Sequence, residues 1–291
     1  QKHPDFFLFL YGDPSQAFDS YLNPDLLLEY KGLFDAAEAA VSYDTELVAR
    51  VKRARLSVDY AILEAAKKGL SEALSLTIQN KDQKQANNEI LRLLDTFKET
   101  CEGADITLMN EMGYTVAEYV SNYRKTVAVA VKPNKAVGKQ VTLLTLPKKY
   151  ADEDPQTLTD GALGGNNFYA NWLGFEGNSM EAVIDMGEPT AISSISTAFL
   201  QVTNHVVFYP LKVKYYYGND TENFKLVSEM INQKPLHKGS KVNDIQYFDA
   251  RFDAVNAQYV KIEAINMNLA PYWHHAAGLP AWIFADEVII D

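Results

Sequence analysis

Residues 271–291 read Pro271-Tyr-Trp-His-His-Ala-Ala-Gly-Leu-Pro-Ala-Trp-Ile-Phe-Ala-Asp-Glu-Val-Ile-Ile-Asp291, and this stretch decides the fold of the second half of the chain. Aromatic residues and two histidines crowd a segment that contains Gly and Pro, which favour turns. The run from Trp282 to Ile290 is rich in β-branched and aromatic residues and predicts a strand that carries Asp286 and Glu287. The stretch therefore predicts an exposed loop that leads into a strand.

A segment far upstream, from Thr157 to Trp172, has the same mixed character. Leu158-Thr159-Asp160-Gly161 opens an irregular loop, and this loop ends in the aromatic residues Phe168, Tyr169 and Trp172. We expect the two segments to meet in one β-sandwich, with their loops at its rim.

Short runs rich in β-branched and aromatic residues recur through the second half at intervals typical of a sandwich or barrel. These runs are Gln140–Leu146, Ala182–Met186, Ile192–Leu200, Leu211–Tyr217, Phe224–Met230, Ile245–Phe252, Gln258–Ile265 and Trp282–Ile290. No helix-length pattern separates them, so the sheets should be mainly antiparallel. Roughly eight strands in this order suggest a jelly roll.

The first half has helical periodicity instead, with apolar residues every three to four positions between Asn23 and Ala128. Asn23-Pro24-Asp25 and Asp44 predict two helix starts, a third helix ends near Cys101, and Thr115-Val-Ala-Glu118 is a capping box for a fourth. Short connections between amphipathic helices indicate antiparallel neighbours, and hence an α-helical bundle.

A length of 291 residues suits two domains. The change of periodicity predicts an α-helical domain over 1–130, a linker and first strand over 131–150, and a β-sandwich over 151–291. The predicted fold class is thus multidomain α plus β, with a helical bundle followed by an antiparallel jelly roll.

Composition argues against several classes of function. The net charge of -11 and the pI near 5.0 argue against nucleic acid, whose phosphates need clustered Lys and Arg, and against an anionic membrane surface. No apolar run approaches the length of a membrane span. The single cysteine, Cys101, excludes an internal disulfide and is predicted to be a core residue of its helix.

No catalytic motif is present. The sequence lacks a Gly-x-Ser-x-Gly nucleophile elbow, a His-Glu-x-x-His zinc motif and a phosphate-binding loop. The paired carboxylates that glycoside hydrolysis requires need not be adjacent in sequence, so the sequence does not exclude such a pair. No catalytic residue is predicted. His274 and His275 are adjacent and would point to opposite faces of a strand, which argues against a metal pair.

The loop that begins at Thr157 favours the binding of a hard cation. Thr157 to Asn166 concentrates backbone carbonyls in an irregular loop, Asp160 supplies a carboxylate, and Glu287 can supply a second one if the segments meet. Calcium prefers such oxygen ligands. The alternative is a plain Asp-Gly turn beside an exposed acidic strand.

The aromatic residues of the second half suggest a surface for sugars, whose C–H faces stack on rings and whose hydroxyls bond polar side chains. Trp273 and His274 lie in the Pro/Gly loop, where exposure is expected, and His205 lies in a predicted turn. Tyr169 is a further candidate by its loop position. Trp282 alternates with Phe284 and is more consistent with a core position.

Taken together, the segments Leu158–Gly161, Trp172–Phe175, Trp273-His274 and Ala281–Glu287 resemble a coagulation-factor 5/8 type C domain. Such discoidin or galactose-binding-like modules are similar to family 32 carbohydrate-binding modules, and this subtype looks like the one appended to bacterial glycosidases. The resemblance covers Asn134 to Asp291. It implies a jelly roll with a structural calcium held by the side chains of Asp160 and Glu287 and by the carbonyls of Thr157 and Asp286. Many relatives supply a Ser or Thr where this chain has Gly164-Gly165-Asn166.

The helical half carries a second, looser resemblance. Tyr11–Ser15, Leu33–Glu38, Arg53–Leu56 and Met109–Glu111 look like the helical region after the barrel in a glycosidase-like family that is related to α-glucuronidases and contains a domain of unknown function. This resemblance implies a catalytic (β/α)₈ barrel upstream in the same polypeptide. The sequence begins at Gln1 rather than Met, from which we expect a processed or truncated product.

These observations predict the non-catalytic C-terminal portion of a secreted, periplasmic or cell-surface glycoside hydrolase, whose sandwich binds a glycan. Two alternatives stay open at this point. The rim loop could complete the active site of an upstream barrel, or the sandwich could be structural and bind protein rather than sugar.

Overall fold

The computed structural model describes residues 14–18, 20–67, 83–111, 113–130, 133–148, 153–165, 168 and 171–291. The chain divides into two units, Gln1–Asp105 and Ile106–Asp291, which are described separately below. Among the helices in these ranges, none has the length and apolar character that crossing a membrane requires. Tyr169, one of the predicted sugar-contacting residues, lies outside the described residues.

The first unit contains three long helices: α1 (Pro24–Ala40), α2 (Thr45–Lys67) and α3 (Gln83–Gly103). α1 begins as predicted, because the Asn23 side chain accepts a hydrogen bond from the Leu26 amide at 3.0 Å. Leu27 of α1 and Ile62 of α2 belong to one buried apolar cluster, and Cys101 is buried in α3 as expected.

An ion network joins α1 to α2. The Arg55 guanidinium lies 2.6 Å from Asp35, 3.1 Å from Glu38 and 3.0 Å from Asp59. These carboxylates raise the pKa of Arg55, so the guanidinium stays charged beside them. The network therefore orients the two helices in addition to their apolar contacts.

The second unit begins with α4 (Val116–Ala130). The predicted capping box is confirmed: the Glu118 amide donates to Thr115 Oγ1 at 3.1 Å, and the Thr115 amide donates to Glu118 Oε2 at 3.0 Å. The Lys125 ammonium lies 3.5 Å from the buried carboxylate of Asp244 in the sheet. With α1 to α3, this helix gives the four helices that precede the sandwich.

Seven strands follow, and every pairing among them is antiparallel. They are β1 (Gln140–Leu143), β2 (Leu173–Glu176), β3 (Met180–Val202), β4 (Lys212–Gly218), β5 (Lys225–Ile231), β6 (Asn243–Ile265) and β7 (Trp282–Ile290). Their order is β2-β7-β3-β6-β4-β5, and β1 pairs with the first part of β3. The predicted antiparallel β-sandwich is confirmed.

Two pairs of predicted strands are each one long, bent strand. The runs 182–186 and 192–200 are both parts of β3, and the runs 245–252 and 258–265 are both parts of β6. The pairing of β3 with β6 shifts register between Asp185 and Thr190 and again between Ile192 and Ser194. Such irregularities bend strands, so the hydrogen-bonded sheet folds over itself into two layers.

The main core lies between the two layers. Side chains that are fully buried there include Phe175, Phe199, Tyr215 and Phe248, and the Tyr215 hydroxyl donates to the Phe248 carbonyl at 2.7 Å. A second cluster contains Phe168, Trp172, Leu200, Ile245 and Phe284. Trp172 is fully buried in this second cluster, and its indole N–H donates to the Gly165 carbonyl at 2.9 Å.

The two segments that define the sandwich are adjacent. β2 follows the loop at 157–172 and pairs with β7, with Leu173 opposite Ala285 and Gly174 opposite Phe284. At Gly174 a Cβ atom would lie 2.7 Å from Cε1 of the Phe284 ring and 2.8 Å from its Cζ. Glycine at this position therefore allows the Phe284 ring to cover β2.

The substitution Gly174→Ala should destabilise the sandwich by about 1–3 kcal/mol, because the ring of Phe284 must move within a packed core. The midpoint of urea unfolding measures the effect. Gly239→Ala is the matched control, since a Cβ there meets only the flexible side chain of His237 at 3.3 Å. An unchanged midpoint for the Gly174 variant would show that the ring does not occupy this position.

Candidate functional site

One rim of the sandwich is formed by two connections that lie side by side. The turn at 203–206 follows β3, and the loop at 271–280 precedes β7. The Trp282 amide donates to the Val206 carbonyl at 2.9 Å, and the Phe208 amide donates to the Trp282 carbonyl at 2.9 Å. These bonds fix the start of β7 against the turn.

The turn itself is held in an uncommon conformation. Val206 has φ 62°, in the left-handed region that β-branched residues rarely adopt. Its amide donates to the Thr203 carbonyl at 3.2 Å, which closes the turn around Asn204 and His205. Both of these side chains are exposed at the rim. Strained backbone of this kind is often found at binding sites.

The rim brings together the three predicted sugar-contacting residues that the structure describes. Trp273 is partly exposed and lies with its ring 6.1 Å from that of His274. The ring of His274 lies against that of His275, with centroids 4.2 Å apart and planes tilted by 35°. His205 packs against Phe168 at 5.2 Å. Burial and the nearby His275 lower the pKa of His205, so its imidazole is neutral at neutral pH.

His275 is a rim residue that the sequence reasoning did not select. The prediction assumed that adjacent histidines alternate across a strand, but residues 272–278 form a series of turns. In this geometry His274 and His275 lie against one another instead of facing opposite ways. Tyr272, in the same loop, is 92% exposed and also contributes an aromatic ring to this rim.

The chemical character of the rim is aromatic. His205, Trp273 and His275 offer ring faces and N–H groups, and none of the ion pairs found in the described part of the chain involves them. Such a surface suits stacking on an apolar face combined with hydrogen bonds to uncharged hydroxyl groups.

A second cluster lies further along β7, at Asp286 and Glu287. The pairing of β3 with β7 shifts register there, because Thr197 pairs with Val288 while Ala198 pairs with Asp286. Glu287 is thus the extra residue of a β-bulge, which changes the alternation of side chains. As a result, both carboxylates contact the loop at 160–165.

Each carboxylate accepts hydrogen bonds from this loop. Glu287 accepts from the Gly161 amide at 3.0 Å and from the Asn134 side chain at 2.8 Å. Asp286 accepts from the Gly164 amide through Oδ2, whereas its Oδ1 is buried without a hydrogen-bond partner. Asp160, at the start of the loop, is exposed and accepts from the Ala162 amide at 2.7 Å.

The two buried carboxylates are costly to ionise. Burial, with the neighbouring Asp286, raises the pKa of Glu287 to about 9. Burial also raises the pKa of Asp286 well above its usual range. Within the residues that the structure covers, no group of three or more His, Cys, Asp or Glu side chains forms a metal-ligand cluster. The predicted calcium site is not a cluster of this kind, because only two of its four ligands are side chains and the other two are backbone carbonyls.

The donor set fits a calcium ion in its chemistry. The two carboxylates and two backbone carbonyls of the predicted set are hard oxygen ligands. The neighbouring Asp286 side chain adds a buried oxygen, Oδ1, that has no hydrogen-bond partner. A side chain at position 164 would require the Trp172 indole ring to move, because a Cβ there would lie 2.4 Å from that ring.

Residues 145–283, just under half of the chain, match the family described as F5/8 type C domain. Among solved structures, chitosan-binding module 1 from a chitosanase/glucanase of Paenibacillus sp. IK-5 is similar, with 13% identity and a TM-score of 0.36 over 55% of this chain and 99% of that module. The Clostridium perfringens module CpGH89CBM32-5, in complex with GalNAc-β-1,3-galactose, has 16% identity and a TM-score of 0.34 over 52% and 94%.

A GH29 fucosidase from Ruminococcus gnavus, in complex with fucose, is also similar, with 16% identity and a TM-score of 0.37. That similarity covers 68% of this chain and 36% of the fucosidase. No curated protein matches the sequence.

The carboxylate cluster gives a testable dependence on pH. In the presence of a chelator, the stability of the wild type should fall as the pH rises from about 4.5 toward 9. The folded state favours protonated Glu287, whereas in the unfolded state this carboxyl ionises at lower pH. Glu287→Gln, which cannot ionise, should reduce this loss. Thermal unfolding measured across this pH range tests the expectation.

Calcium should stabilise the wild type more than the Glu287→Gln variant. At a hundred times its Kd, calcium should stabilise the wild type by about 2.7 kcal/mol and leave Glu287→Gln nearly unchanged. Exposed Glu222, replaced by Gln, is the matched control and should respond like the wild type. A wild-type melting temperature that neither chelator nor calcium changes would contradict a structural calcium.

Proposed function

We propose that residues 145–283, which match the family described as F5/8 type C domain, bind carbohydrate at the rim formed by the turn at 203–206 and the loop at 271–280. The observation that carries the proposal is the partly exposed Trp273 ring on the same rim as the neutral imidazole of His205 and the exposed ring of His275. Together they combine a stacking face with hydrogen-bonding groups.

Rigid support favours sugar binding at this rim. The ring of Phe168 packs on Phe284 at 5.6 Å and on His205 at 5.2 Å, so the second apolar cluster continues to the base of the rim. Sugars gain little from each contact, and a surface whose rings are already positioned loses little entropy on binding. The rim therefore suits a weak but selective interaction.

The polarity of the rim favours an uncharged glycan. Imidazole and indole N–H groups can donate to hydroxyl oxygens, and a neutral imidazole can also accept from a hydroxyl. The chain as a whole carries a net charge of -11, which disfavours strongly anionic ligands. A neutral sugar meets no such repulsion.

We further propose that this binding targets an attached enzyme. In this proposal the chain is the C-terminal portion of a secreted, periplasmic or cell-surface glycoside hydrolase, with a catalytic barrel upstream. A weak sugar site that is linked to a hydrolase raises the local concentration of the enzyme at its glycan. The described residues would then supply recognition, and the chemistry would belong to the upstream barrel.

Calcium has a structural role in the same proposal. The side chains of Asp160 and Glu287, with the carbonyls of Thr157 and Asp286, would hold the ion between the loop at 157–165 and β7. Bound there, calcium would supply positive charge to the carboxylate of Glu287, which is otherwise buried without it. This ion would stabilise the scaffold rather than contact the sugar.

Sugar binding is tested on a glycan array with the whole chain. Trp273→Ala should lower binding at least roughly tenfold, because stacking on an aromatic ring is lost. Tyr43→Ala is the matched control, since it removes an aromatic ring that is 82% exposed in the other unit. Circular dichroism confirms that both variants fold.

Other outcomes would favour the alternatives. Absence of binding by the wild type, or equal binding by Trp273→Ala, would contradict a sugar site at this rim. Hydrolysis of an aryl glycoside by the chain alone would show that it contains catalytic residues.

A further inference from the structure

A cavity of about 420 Å³ lies at the end of β7 that points away from the rim. β7 begins at the rim with Trp282 and lines the cavity with Ile289, which places the two sites roughly 20 Å apart along the strand. The volume falls within the range of roughly 300–1,000 Å³ that is typical of small-molecule sites. The cavity is therefore separate from the proposed sugar site and large enough for a ligand of its own.

Three neighbouring strands supply the side chains of this cavity. Ser194 of β3 pairs with Arg251 of β6. Ser196 pairs with Asp249 of β6 on one side and with Ile289 of β7 on the other. Paired residues, and residues two positions apart along a strand, share one face of a sheet. All five side chains therefore project from the same face, whereas the alternate residues of these strands enter the main core.

The wall of the cavity at Ser193 and Ser194 is held by backbone hydrogen bonds. The pairing of β3 with β6 shifts register just before Ser194. The amides of Ser193 and Ser194 donate to the Asp291 carbonyl at 2.6 Å and 3.0 Å, and the Asp291 amide donates to the Ser194 carbonyl at 3.1 Å. The shape of this wall is thus fixed before a ligand binds, which lowers the entropic cost of binding.

The charged groups that line the cavity are balanced. The Asp291 carboxylate lies 3.5 Å from the Lys135 ammonium, which leaves the carboxylate of Asp249 and the guanidinium of Arg251. In the ranges that the structure describes, neither of these two side chains makes a hydrogen bond or an ion pair. One group that only accepts and one group that only donates are therefore available to a ligand, and their formal charges cancel.

A buried hydroxyl group in the same cavity also lacks a partner. Ser196 is 7% exposed, and its Oγ has no hydrogen-bond partner in the described part of the chain. A buried hydroxyl that makes no hydrogen bond is unfavourable to folding. Because no bond holds this side chain in one staggered rotamer, it can turn toward a ligand in the cavity that it lines.

We propose that this cavity is a second binding site, and that its ligand is a small neutral polyol such as a monosaccharide. Each hydroxyl of a vicinal diol can donate to a carboxylate and accept from a guanidinium, so Asp249 and Arg251 together suit two neighbouring hydroxyls. Ser194 and Ser196 add hydroxyl partners, and Ile289 offers an apolar contact to the C–H face of a sugar ring. This inference goes beyond the proposed function and does not rest on the rim.

Ligands with a net charge suit the cavity less well. An anion would be repelled by Asp249 and a cation by Arg251, so each would gain one favourable charge contact at the cost of one unfavourable contact. A small zwitterion would pair with both groups, but through exposed ion pairs, which contribute little in water. Glycine is therefore the competing ligand in the experiment.

Nuclear magnetic resonance of the whole ¹⁵N-labelled chain locates the ligand. The probes are D-galactose and myo-inositol, titrated into the Trp273→Ala variant so that the rim contributes little. The backbone amide signals of Ser194, Ser196 and Arg251 should shift with a saturable dependence on probe concentration, at a Kd on the order of 1 mM. If neither probe shifts these signals, or if only glycine does, the proposal is wrong.

Three further variants, made in the same background, test the assigned groups. Arg251→Gln and Asp249→Asn should each weaken binding at least roughly tenfold, because a hydrogen bond to a charged group is lost. Ser196→Ala should weaken binding roughly threefold to tenfold, and its urea midpoint should equal or exceed that of the parent, because an unsatisfied hydroxyl is removed. A purely structural Ser196 would not lower affinity while stability is kept.

Arg53→Gln is the matched control, since this arginine is exposed on α2 in the other unit, and it should keep the parent affinity. Variants at the cavity that fold and bind as tightly as the parent would overturn the proposal.

The same titration of the wild-type chain distinguishes this site from the rim. Signals that shift at both ends of the sandwich would show two sites, which would allow one domain to bridge two glycans. Shifts at the cavity alone would support this inference while the proposed function of the rim fails. Shifts confined to 203–206 and 271–280 would support the rim and overturn the second site.

Discussion

Two carboxylates buried side by side on the last strand are the constraint around which the sandwich is arranged. Asp286 and Glu287 lie at a bulge, and the amides of Gly161 and Gly164 donate to them. Removing these carboxylates from water is unfavourable unless protons, hydrogen bonds or a cation compensate. The loop at 160–165 supplies the hydrogen bonds, and it can do so only by folding back over β7. One strand thereby fixes the path of a segment more than a hundred residues upstream in the chain.

The same loop connects this constraint to the rim. Its amide at Gly164 reaches Asp286 where the Trp172 ring leaves no room for a side chain, and the Trp172 indole donates back to the Gly165 carbonyl. Phe168 then packs between Phe284 and His205. Close-packed contacts therefore run from the carboxylates to the base of the rim. This loop, with Phe168, thus contacts both the buried carboxylates and the base of the rim. It uses hydrogen bonds at the first place and ring packing at the second.

Much of the fold could be predicted, because local patterns determine helices, strands and their faces. The cap at Asn23 and the capping box at Thr115–Glu118 follow from such patterns. Strand β2, which pairs with β7, was not among the predicted strands. The continuity of β3 could not be predicted, since Gly187 and Pro189 are as typical of a loop as of a bend. The continuity of β6 depends on its pairing with β3. The bulge at Glu287 depends on pairing with β3, and the burial of Trp172 depends on packing against Phe284. Both are tertiary effects that leave no local signal.

The candidate site was harder to predict than the fold for a related reason. Sequence position identified Trp273, His274 and His205 as loop residues, but it could not assign their hydrogen bonds. His274 has both nitrogens bound to the backbone, whereas His275, which the alternation rule set aside, lies beside it because the loop turns instead of extending. A loop of few residues must use some side chains to hold its own shape, since its backbone has no sheet to support it. The side chains that hold the loop are of the same residue types as side chains that bind ligands. Only their hydrogen-bond partners distinguish the residue that shapes the rim from those that face solvent.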